Sequence, residues 1–216
     1  SHYAAGLVGP HGRVHAFEPQ PQLVSLMEAS VQANSLGNLH IHNLALGDEE
    51  AHLDLFIPSH NYGAASLVVE AGTEGERVRV PVLNATNYFE ELGVDQARLV
   101  KMDVEGYEPT VLRGAARFLD HVGPHFILLE LNRAGHHGGN DEAVQLLRRH
   151  GYVFFNIPRR PLANMVMRSG GINGWSHDVI AVHGSKVAEA ERLLPVRTRR
   201  AEPATRGELA RVPAVA

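Results

Sequence analysis

The chain has 216 residues, 44% hydrophobic and none of them cysteine, so it can bury a core, while disulfides, thiolate metal sites and a cysteine nucleophile are excluded. No stretch approaches the roughly eighteen uncharged apolar residues of a membrane span, so we expect no membrane association. The lack of cysteine fits a cytoplasmic protein. The net charge of −4 divides into −7 for residues 1–183 and +3 for residues 184–216, and an acidic body argues against a nucleic-acid partner.

The first part of the chain alternates strand and helix patterns. Arg13–Phe17 is predicted as a short strand that ends at Glu18, and residues 21–35 carry apolar side chains on one helical face. Gly37 is the expected C-terminal cap of that helix. Leu39–Leu46 is predicted as one further strand, which ends before Asp48.

Residues 51–83 have a different pattern. His52–Ile57 and Arg77–Leu83 are both strand-like, and the loop between them contains Gly, Ser and Asn. Because no helix separates the two strands, we expect them to pair antiparallel as an inserted hairpin.

Alternation resumes after the hairpin. Leu99–Val104 is a predicted strand, Glu108–Leu119 a helix with Pro109 in its first turn, and Phe126–Leu131 a strand buried on both faces. A helix over Asp141–His150, capped by Asn140 or Asp141, and two antiparallel strands, Tyr152–Ile157 and Asp178–His183, follow.

The pattern predicts an α/β domain over residues 1–184. Residues 185–216 form an Ala-, Arg- and Pro-rich tail in which Ala188–Leu194 is a possible short helix and the remainder is expected to be poorly ordered. Its arginines are interpreted as a solvated surface.

Acidic residues follow four of the predicted strands. Glu18 ends the strand at Arg13, and Asp48 follows the strand at Leu39. Asp103 and Glu105 close the strand at Leu99, and Glu130 closes the strand at Phe126. In an open parallel α/β sheet, ligands bind beyond the carboxyl ends of the strands, so this edge is expected to hold a hydroxyl-rich or cationic ligand. A single acid after the first strand commonly binds a nucleoside ribose, which is the role expected of Glu18.

Each of these residues also has a purely structural interpretation. Glu18 before Pro19 fits a simple turn, Asp103 and Glu105 could cap the helix that begins near Glu108, and Glu130 could pair with an arginine. Two carboxylates followed by Gly106, which permits close backbone approach, favour a functional site.

The histidines do not predict a metal site. His136 and His137 are adjacent and point in different directions, while Gly123 and Pro124 break the helix that a site at His121 and His125 requires. His40 and His42 are interpreted as half-exposed strand residues.

Five segments occur in a characteristic order: VGPHGRVHAFEPQP (residues 8–21), NLALGDEE (43–50), NYGAASL (61–67), LVKMDVEGYEPTVLRGA (99–115) and FILLELN (126–132). Together they resemble the FkbM-type methyltransferase family, from the first residues to about His183. The resemblance implies a class I methyltransferase with a Rossmann-like sheet and a β-hairpin insertion. It further implies S-adenosylmethionine as cofactor and methylation of a hydroxyl oxygen.

The resemblance also implies roles for particular residues. Glu18 is similar to the acid that binds the cofactor ribose, and Ala45, Leu46, Gly47 and Asp48 resemble the segment flanking the adenine. Asn61, Gly63 and Ser66 match a hairpin loop near the cofactor. Asp103 and Glu105 resemble the pair facing the sulfonium and the acceptor, with Glu130 and Asn132 beside them.

A strand and a turn of the type D-x-G-A-N-x-G open the family's sheet, and this sequence lacks them. Residues 1–5 instead look like the helix that follows that turn. The expectation is therefore a methyltransferase domain that is N-terminally truncated, with its first strand missing.

The reaction requires a general base, since a sugar or polyketide hydroxyl is a poor nucleophile. Asp103 and Glu105 are the candidates, with Glu130 third, and these three carboxylates could alternatively hold a divalent cation such as Mg²⁺. The acceptor is expected to be a small molecule or a saccharide, bordered by residues 132–140 and 158–177.

Two other functions stay open at this point. A nucleotide-dependent oxidoreductase would also use an acid like Glu18 on a ribose. A truncated, non-catalytic remnant or interaction module would account for the missing glycine-rich turn.

Overall fold

The computed structural model describes residues 1–68, 74–130, 139–157, 165–167, 178–193 and 196–198. Its seven α-helices in these ranges are α1 (His2–Val8), α2 (Pro21–Ala33), α3 (Ala85–Glu91), α4 (Glu108–Gly114), α5 (Ala116–His121), α6 (Gly139–Arg149) and α7 (Val187–Leu193). The strands are β1 (Val14–Phe17), β2 (Leu39–His42), β3 (Ala45–Gly47), β4 (Ala51–Pro58), β5 (Gly75–Asn84), β6 (Leu99–Met102), β7 (Phe126–Glu130), β8 (Tyr152–Asn156), β9 (Met165–Met167), β10 (Asp178–His183) and β11 (Val196–Thr198). The predicted α/β class is confirmed.

The largest sheet has the strand order β11-β9-β8-β10-β7-β6. β6 and β7 run parallel, whereas β10 lies antiparallel between β7 and β8, as predicted for the closing strands. The interior of this sheet is apolar and fully enclosed: Ile127, Leu129, Val179 and Ala181 are at most 1% exposed. Burial on both faces explains why the sequence of β7 is almost continuously apolar.

The N-terminal strands form a separate parallel pair. β1 pairs with β2 in the register Val14 to Leu39, and α1 and α2 cover the pair through a cluster around Ala5, Ala16 and Leu39. The helix of residues 21–35 is confirmed as α2, but its end differs from the prediction. Ser35, with φ of 53°, takes the left-handed conformation expected at Gly37.

The predicted strand Leu39–Leu46 is wrong as a single element. The chain leaves the first pair after His42 and joins a different sheet at Ala45. Asn43 stands at this change of direction, where its side-chain amide donates hydrogen bonds to the carbonyls of Glu18 and Pro19. The side-chain hydrogen bonds of Asn43 therefore mark the break between the two strands.

The predicted hairpin is confirmed. β4 and β5 pair antiparallel from Ala51 opposite Val82 to Pro58 opposite Gly75. β5 also pairs parallel with β3, which makes a three-stranded sheet in the order β3-β5-β4. The hairpin has its own small apolar core of Leu55, Ile57 and Val80.

Two helical features depart from the prediction. The helix expected over Glu108–Leu119 is divided at Ala115 into α4 and α5, and α3 was not predicted. Asn84 begins α3, because its side-chain oxygen accepts a hydrogen bond from the backbone N–H of Asn87. That capping position is the sequence signal for α3.

α4 connects the three-stranded sheet with the large sheet by a very close backbone contact. A Cβ atom at Gly114 would lie 1.8 Å from the carbonyl oxygen of Gly47 and 2.9 Å from the Cα of Asp48. The buried hydroxyl of Thr86 on α3 donates to the carbonyl of Gly114 at 2.7 Å. α4 can sit this close to β3 only because residue 114 has no side chain.

The tail begins with an ordered helix. α7 confirms the short helix predicted near Ala188–Leu194, and its Ala190 is fully buried against Phe126, Phe155 and Val182. Glu189 on α7 lies 2.7 Å from the guanidinium of Arg98. No helix in the described ranges combines the length and apolar character needed to cross a bilayer.

Replacing Gly114 by Ala is expected to destabilise the chain by about 1–3 kcal/mol or more, because the new methyl group collides with backbone that cannot rotate away. For a chain of this size this corresponds to a fall in melting temperature of roughly 2–4 °C per kcal/mol, measured by calorimetry.

Gly6 in α1 supplies the matched control, since a Cβ there meets no atom within 4 Å. Gly6→Ala should leave the melting temperature unchanged or slightly higher. Equal melting temperatures for Gly114→Ala and Gly6→Ala would contradict the proposed close contact.

Candidate functional site

Two of the predicted acids meet at the carboxyl edge of the large sheet. β6 and β7 are parallel, with Met102 opposite Leu129, so the next residues, Asp103 and Glu130, lie side by side where the strands end. Lys101, two residues before Asp103, places its Nζ 2.6 Å from Asp103 Oδ2. This ion pair lies at the surface, and both acids remain accessible to solvent.

The turn after β6 brings the predicted residues Glu105 and Ser66 to this edge. Glu105 (φ 48°) and Gly106 (φ 95°) both adopt left-handed backbone conformations. The Ser66 hydroxyl donates a hydrogen bond to the carbonyl oxygen of Glu105 at 2.8 Å. The hairpin loop is thus attached to the turn, and Ser66, Asp103, Glu105 and Glu130 belong to one region.

The loop before Ser66 has a defined local structure. Asn61 accepts a hydrogen bond from the N–H of Gly63 at 3.1 Å and starts a short 3₁₀ turn over Tyr62–Ala64. Ser66 then pairs with Phe56 of β4 through both backbone hydrogen bonds. These contacts fix the position from which Ser66 reaches Glu105.

The sequence prediction missed a buried carboxyl group beneath the turn. Glu108 is 3% exposed, and its Oε1 accepts a hydrogen bond from the N–H of Gly106 at 3.3 Å. Burial, together with the charge of Asp103, raises the pKa of Glu108. Glu108 is therefore the acidic residue in the first turn of α4. This is the position that the structural interpretation assigned to Asp103 and Glu105. An acidic residue in the first turn indicates a helix start, but the sequence does not show that its side chain is buried and bonded to the preceding turn.

Glu18 lies at the end of β1, in the two-stranded sheet. Its Oε1 accepts a hydrogen bond from the N–H of Gln20 at 2.8 Å, and its own N–H donates to the carbonyl of His42. Burial raises the pKa of Glu18. A partly desolvated carboxylate is a suitable acceptor for ligand hydroxyl groups, which would replace its lost hydration.

The segment Ala45–Asp48 lies against α4. Ala45 and Gly47 are buried, Leu46 packs against the main core, and Asp48 is exposed. Asp48 Oδ2 accepts a hydrogen bond from Nε of Arg113 at 3.0 Å, and Asn84 donates to the Asp48 carbonyl at 2.8 Å. The segment is therefore rigidly held next to the start of α3.

A row of histidines occupies one face of β1 and β2. The ring of His15 stacks on those of His40 and His42, with centroids 5.2 and 5.3 Å apart. His15 Nδ1 lies 3.0 Å from His42 Nε2, and His42 Nδ1 lies 3.0 Å from the hydroxyl of Tyr88 on α3. Burial is the main cause that lowers the pKa of both His15 and His42, with repulsion between the rings adding to it.

Because of these histidines, we predict that the free energy of unfolding decreases at mildly acidic pH. An unfolded histidine ionises with a pKa of about 6.5, and the folded values of His15 and His42 are lower. The unfolded chain therefore binds more protons as the pH falls below about 6.5, and the melting temperature should decrease between pH 7.5 and 5.5.

Two variants isolate this effect. His15→Phe keeps the stacked ring and should flatten the pH dependence, whereas the exposed His60→Gln should not change it. The carboxyl groups contribute equally to all three proteins, so the comparison isolates His15. Identical slopes for the wild type and His15→Phe, measured by thermal denaturation, would show that the row does not titrate with folding.

Glu130 stands opposite another acid. The antiparallel register of β7 and β10 pairs Glu130 with Asp178, which was not among the predicted site residues. Like charges in directly opposed positions destabilise a sheet, and this pair concentrates negative charge at the carboxyl end of β7. Within the described ranges, no group of three or more histidine or acidic side chains is arranged to hold a metal ion.

Part of the predicted site lies outside the described residues. This applies to Asn132 and to most of the segments 132–140 and 158–177 that were expected to border the acceptor. His136 and His137, which were not predicted to bind a metal, also lie outside the described residues. The predicted roles of the site residues in binding and catalysis remain predictions.

Comparison with known proteins gives a consistent result. The family model described as the methyltransferase FkbM domain matches residues 1–154. A curated relative, "Methyltransferase 1" of Beauveria bassiana (strain ARSEF 2860), is 28% identical in an alignment covering 49% of this chain and 49% of that protein. The chain thus spans about half the length of the curated relative that it matches.

A solved structure shows the same fold. The crystal structure of Methyltransferase FkbM from Methylobacillus flagellatus KT superposes with a TM-score of 0.50 and 16% sequence identity. The match covers 84% of this chain and 40% of that one. It supports the α/β architecture described above.

Proposed function

Because the chain belongs to the FkbM methyltransferase family, we propose that it binds S-adenosylmethionine and takes part in methylating a hydroxyl oxygen of a small molecule or saccharide. The observation that carries this proposal is the grouping of Asp103, Glu105 and Glu130 where β6 and β7 end. Carboxylates at this edge are suited to accept hydrogen bonds, and finally a proton, from an acceptor hydroxyl group.

The donor set in this chain fits the adenosine part of the cofactor. Glu18 offers a half-buried carboxylate at the end of a parallel strand, where a nucleoside ribose is commonly bound. Ala45–Asp48 offers backbone groups and small side chains that are held rigidly against α4. We propose that Glu18 binds the ribose hydroxyls and that Ala45, Leu46, Gly47 and Asp48 flank the adenine.

The bound cofactor would supply an electrophilic methyl group, and the chain's own residues would position and activate the acceptor. Asp103 is the first candidate for the general base, since it directly follows β6 and is exposed at the edge. Glu105 and Glu130 lie next to it and would complete the hydrogen bonds to the acceptor. Positioning of reacting groups contributes about 7–11 kcal/mol in favourable cases, which makes a rigid edge important.

A cofactor titration tests the class of function directly. Calorimetry with S-adenosylmethionine should show binding to the chain, and Glu18→Gln should weaken it by about tenfold through the loss of one charged acceptor. NAD(H) serves as the competing ligand in the same assay. Binding of NAD(H) without S-adenosylmethionine would favour a nucleotide-dependent oxidoreductase, and binding of neither would favour a non-catalytic module.

Asp103→Asn is expected to reduce turnover by roughly 10²-fold or more, because the amide cannot accept the acceptor's proton. Cofactor affinity should stay within about twofold, since the replacement is isosteric. The assay is release of S-adenosylhomocysteine with a panel of hydroxylated sugars and phenols.

Asp95→Asn, an exposed acid in the loop before β6, is the matched control and should behave as the wild type. If Asp103→Asn retains full turnover with an acceptor that the wild type methylates, Asp103 is not the base, and Glu105 and Glu130 become the residues to replace.

A further inference from the structure

The peptide group between Glu105 and Gly106 is held at both of its ends. Its carbonyl oxygen accepts the hydrogen bond from the Ser66 hydroxyl at 2.8 Å, and its N–H donates to Glu108 Oε1 at 3.3 Å. Because a peptide group is planar and rigid, one bond at each end fixes the orientation of the whole unit. We call this arrangement the peptide clamp.

The clamped conformation is one that the chain would not adopt unaided. Glu105 has φ of 48°, which is uncommon for a residue with a side chain, and Gly106 follows with φ of 95°. A left-handed residue with a side chain persists only where the surrounding structure enforces it, whereas Gly106 adopts its conformation without strain. Glu105 is only half-buried and Gly106 is exposed, so dense packing alone does not hold the turn in place.

Burying the carboxyl group of Glu108 costs free energy. The residue is 3% exposed and lies near the charge of Asp103, which also disfavours its ionised form. Hydrogen bonds from backbone N–H groups at Val104, Gly106 and Glu108 itself act in the opposite direction and stabilise the carboxylate. The carboxyl group is therefore better explained by what it does to the turn than by what it adds to the fold.

We infer that Ser66 and Glu108 are positioning residues, which hold the Glu105–Gly106 peptide so that Asp103 and Glu105 are presented together at the edge of the large sheet. Ser66 comes from the hairpin and Glu108 from α4, so the clamp joins two parts of the fold at the candidate site. The role in catalysis rests on the proposed function, whereas the clamp itself does not.

Amide hydrogen exchange measured by NMR tests the clamp without any ligand. Glu108→Leu removes the acceptor and should speed exchange of the Gly106 amide by about three- to tenfold, the effect of losing one ordinary hydrogen bond. Glu108→Gln retains an acceptor oxygen and should stay within about twofold of the wild type. Gly93, also left-handed and bonded to Glu90, is the internal reference that should not change.

The Ser66 side is tested in the same way. Ser66→Ala should also speed exchange at Gly106, while Ser59→Ala, an exposed serine in the same hairpin, should not. Since both bonds hold one peptide group, the effects of Ser66→Ala and Glu108→Leu should combine non-additively. Unchanged exchange in Glu108→Leu, or simple additivity in the double variant, would overturn the clamp.

Turnover separates positioning from a merely structural role. Glu108→Leu should lose about tenfold or more in kcat at constant cofactor affinity, measured well below its melting temperature, because small misplacements of reacting groups are costly. Glu108→Gln should restore kcat. No loss of kcat in folded Glu108→Leu, or a loss that Glu108→Gln does not restore, would overturn the positioning role. Should the wild type show no methyl transfer, the proposed function fails, and the exchange data still decide the clamp.

Discussion

The approach of α4 to β3 is the contact on which the arrangement of this chain depends. In the described residues the strands form three separate sheets, so helices rather than strand pairing must hold those sheets together. Gly114 allows α4 to lie directly on the backbone of Gly47, and the ion pair between Arg113 and Asp48 joins the same two elements at the surface. α4 also begins with Glu108, so the helix that joins the sheets also supports the turn carrying the candidate acids.

The sequence predicts those parts of the fold in which the pattern is local. β7 is recognisable because burial on both faces demands an unbroken apolar run, and the hairpin because its strands lack a crossover helix. The pattern could not divide Leu39–Leu46 into two strands, since the division depends on hydrogen bonds from Asn43 to residues more than twenty positions away. Ala115 likewise gives no local sign that it separates α4 from α5.

In the candidate site, too, local features could be predicted from the sequence and long-range contacts could not. The edge formed by Asp103 and Glu130 follows from strand ends alone, because neighbouring parallel strands finish together. The contribution of Glu108 could not be derived from spacing, since it depends on the left-handed turn that brings the N–H of Gly106 above it. Ser66 was assigned to the site by family resemblance, and its bond to Glu105 supplies a physical reason for its position.

The placement of α7 has a practical consequence. Glu189 lies next to Arg98 and His125, which precede β6 and β7, so α7 covers the amino ends of the strands whose carboxyl ends carry Asp103 and Glu130. The neighbouring Glu191 faces solvent, and the chain has no thiol anywhere. A single cysteine introduced at residue 191 would therefore be a unique attachment point for a fluorophore or a surface linker, remote from the sheet edge that carries Asp103 and Glu130.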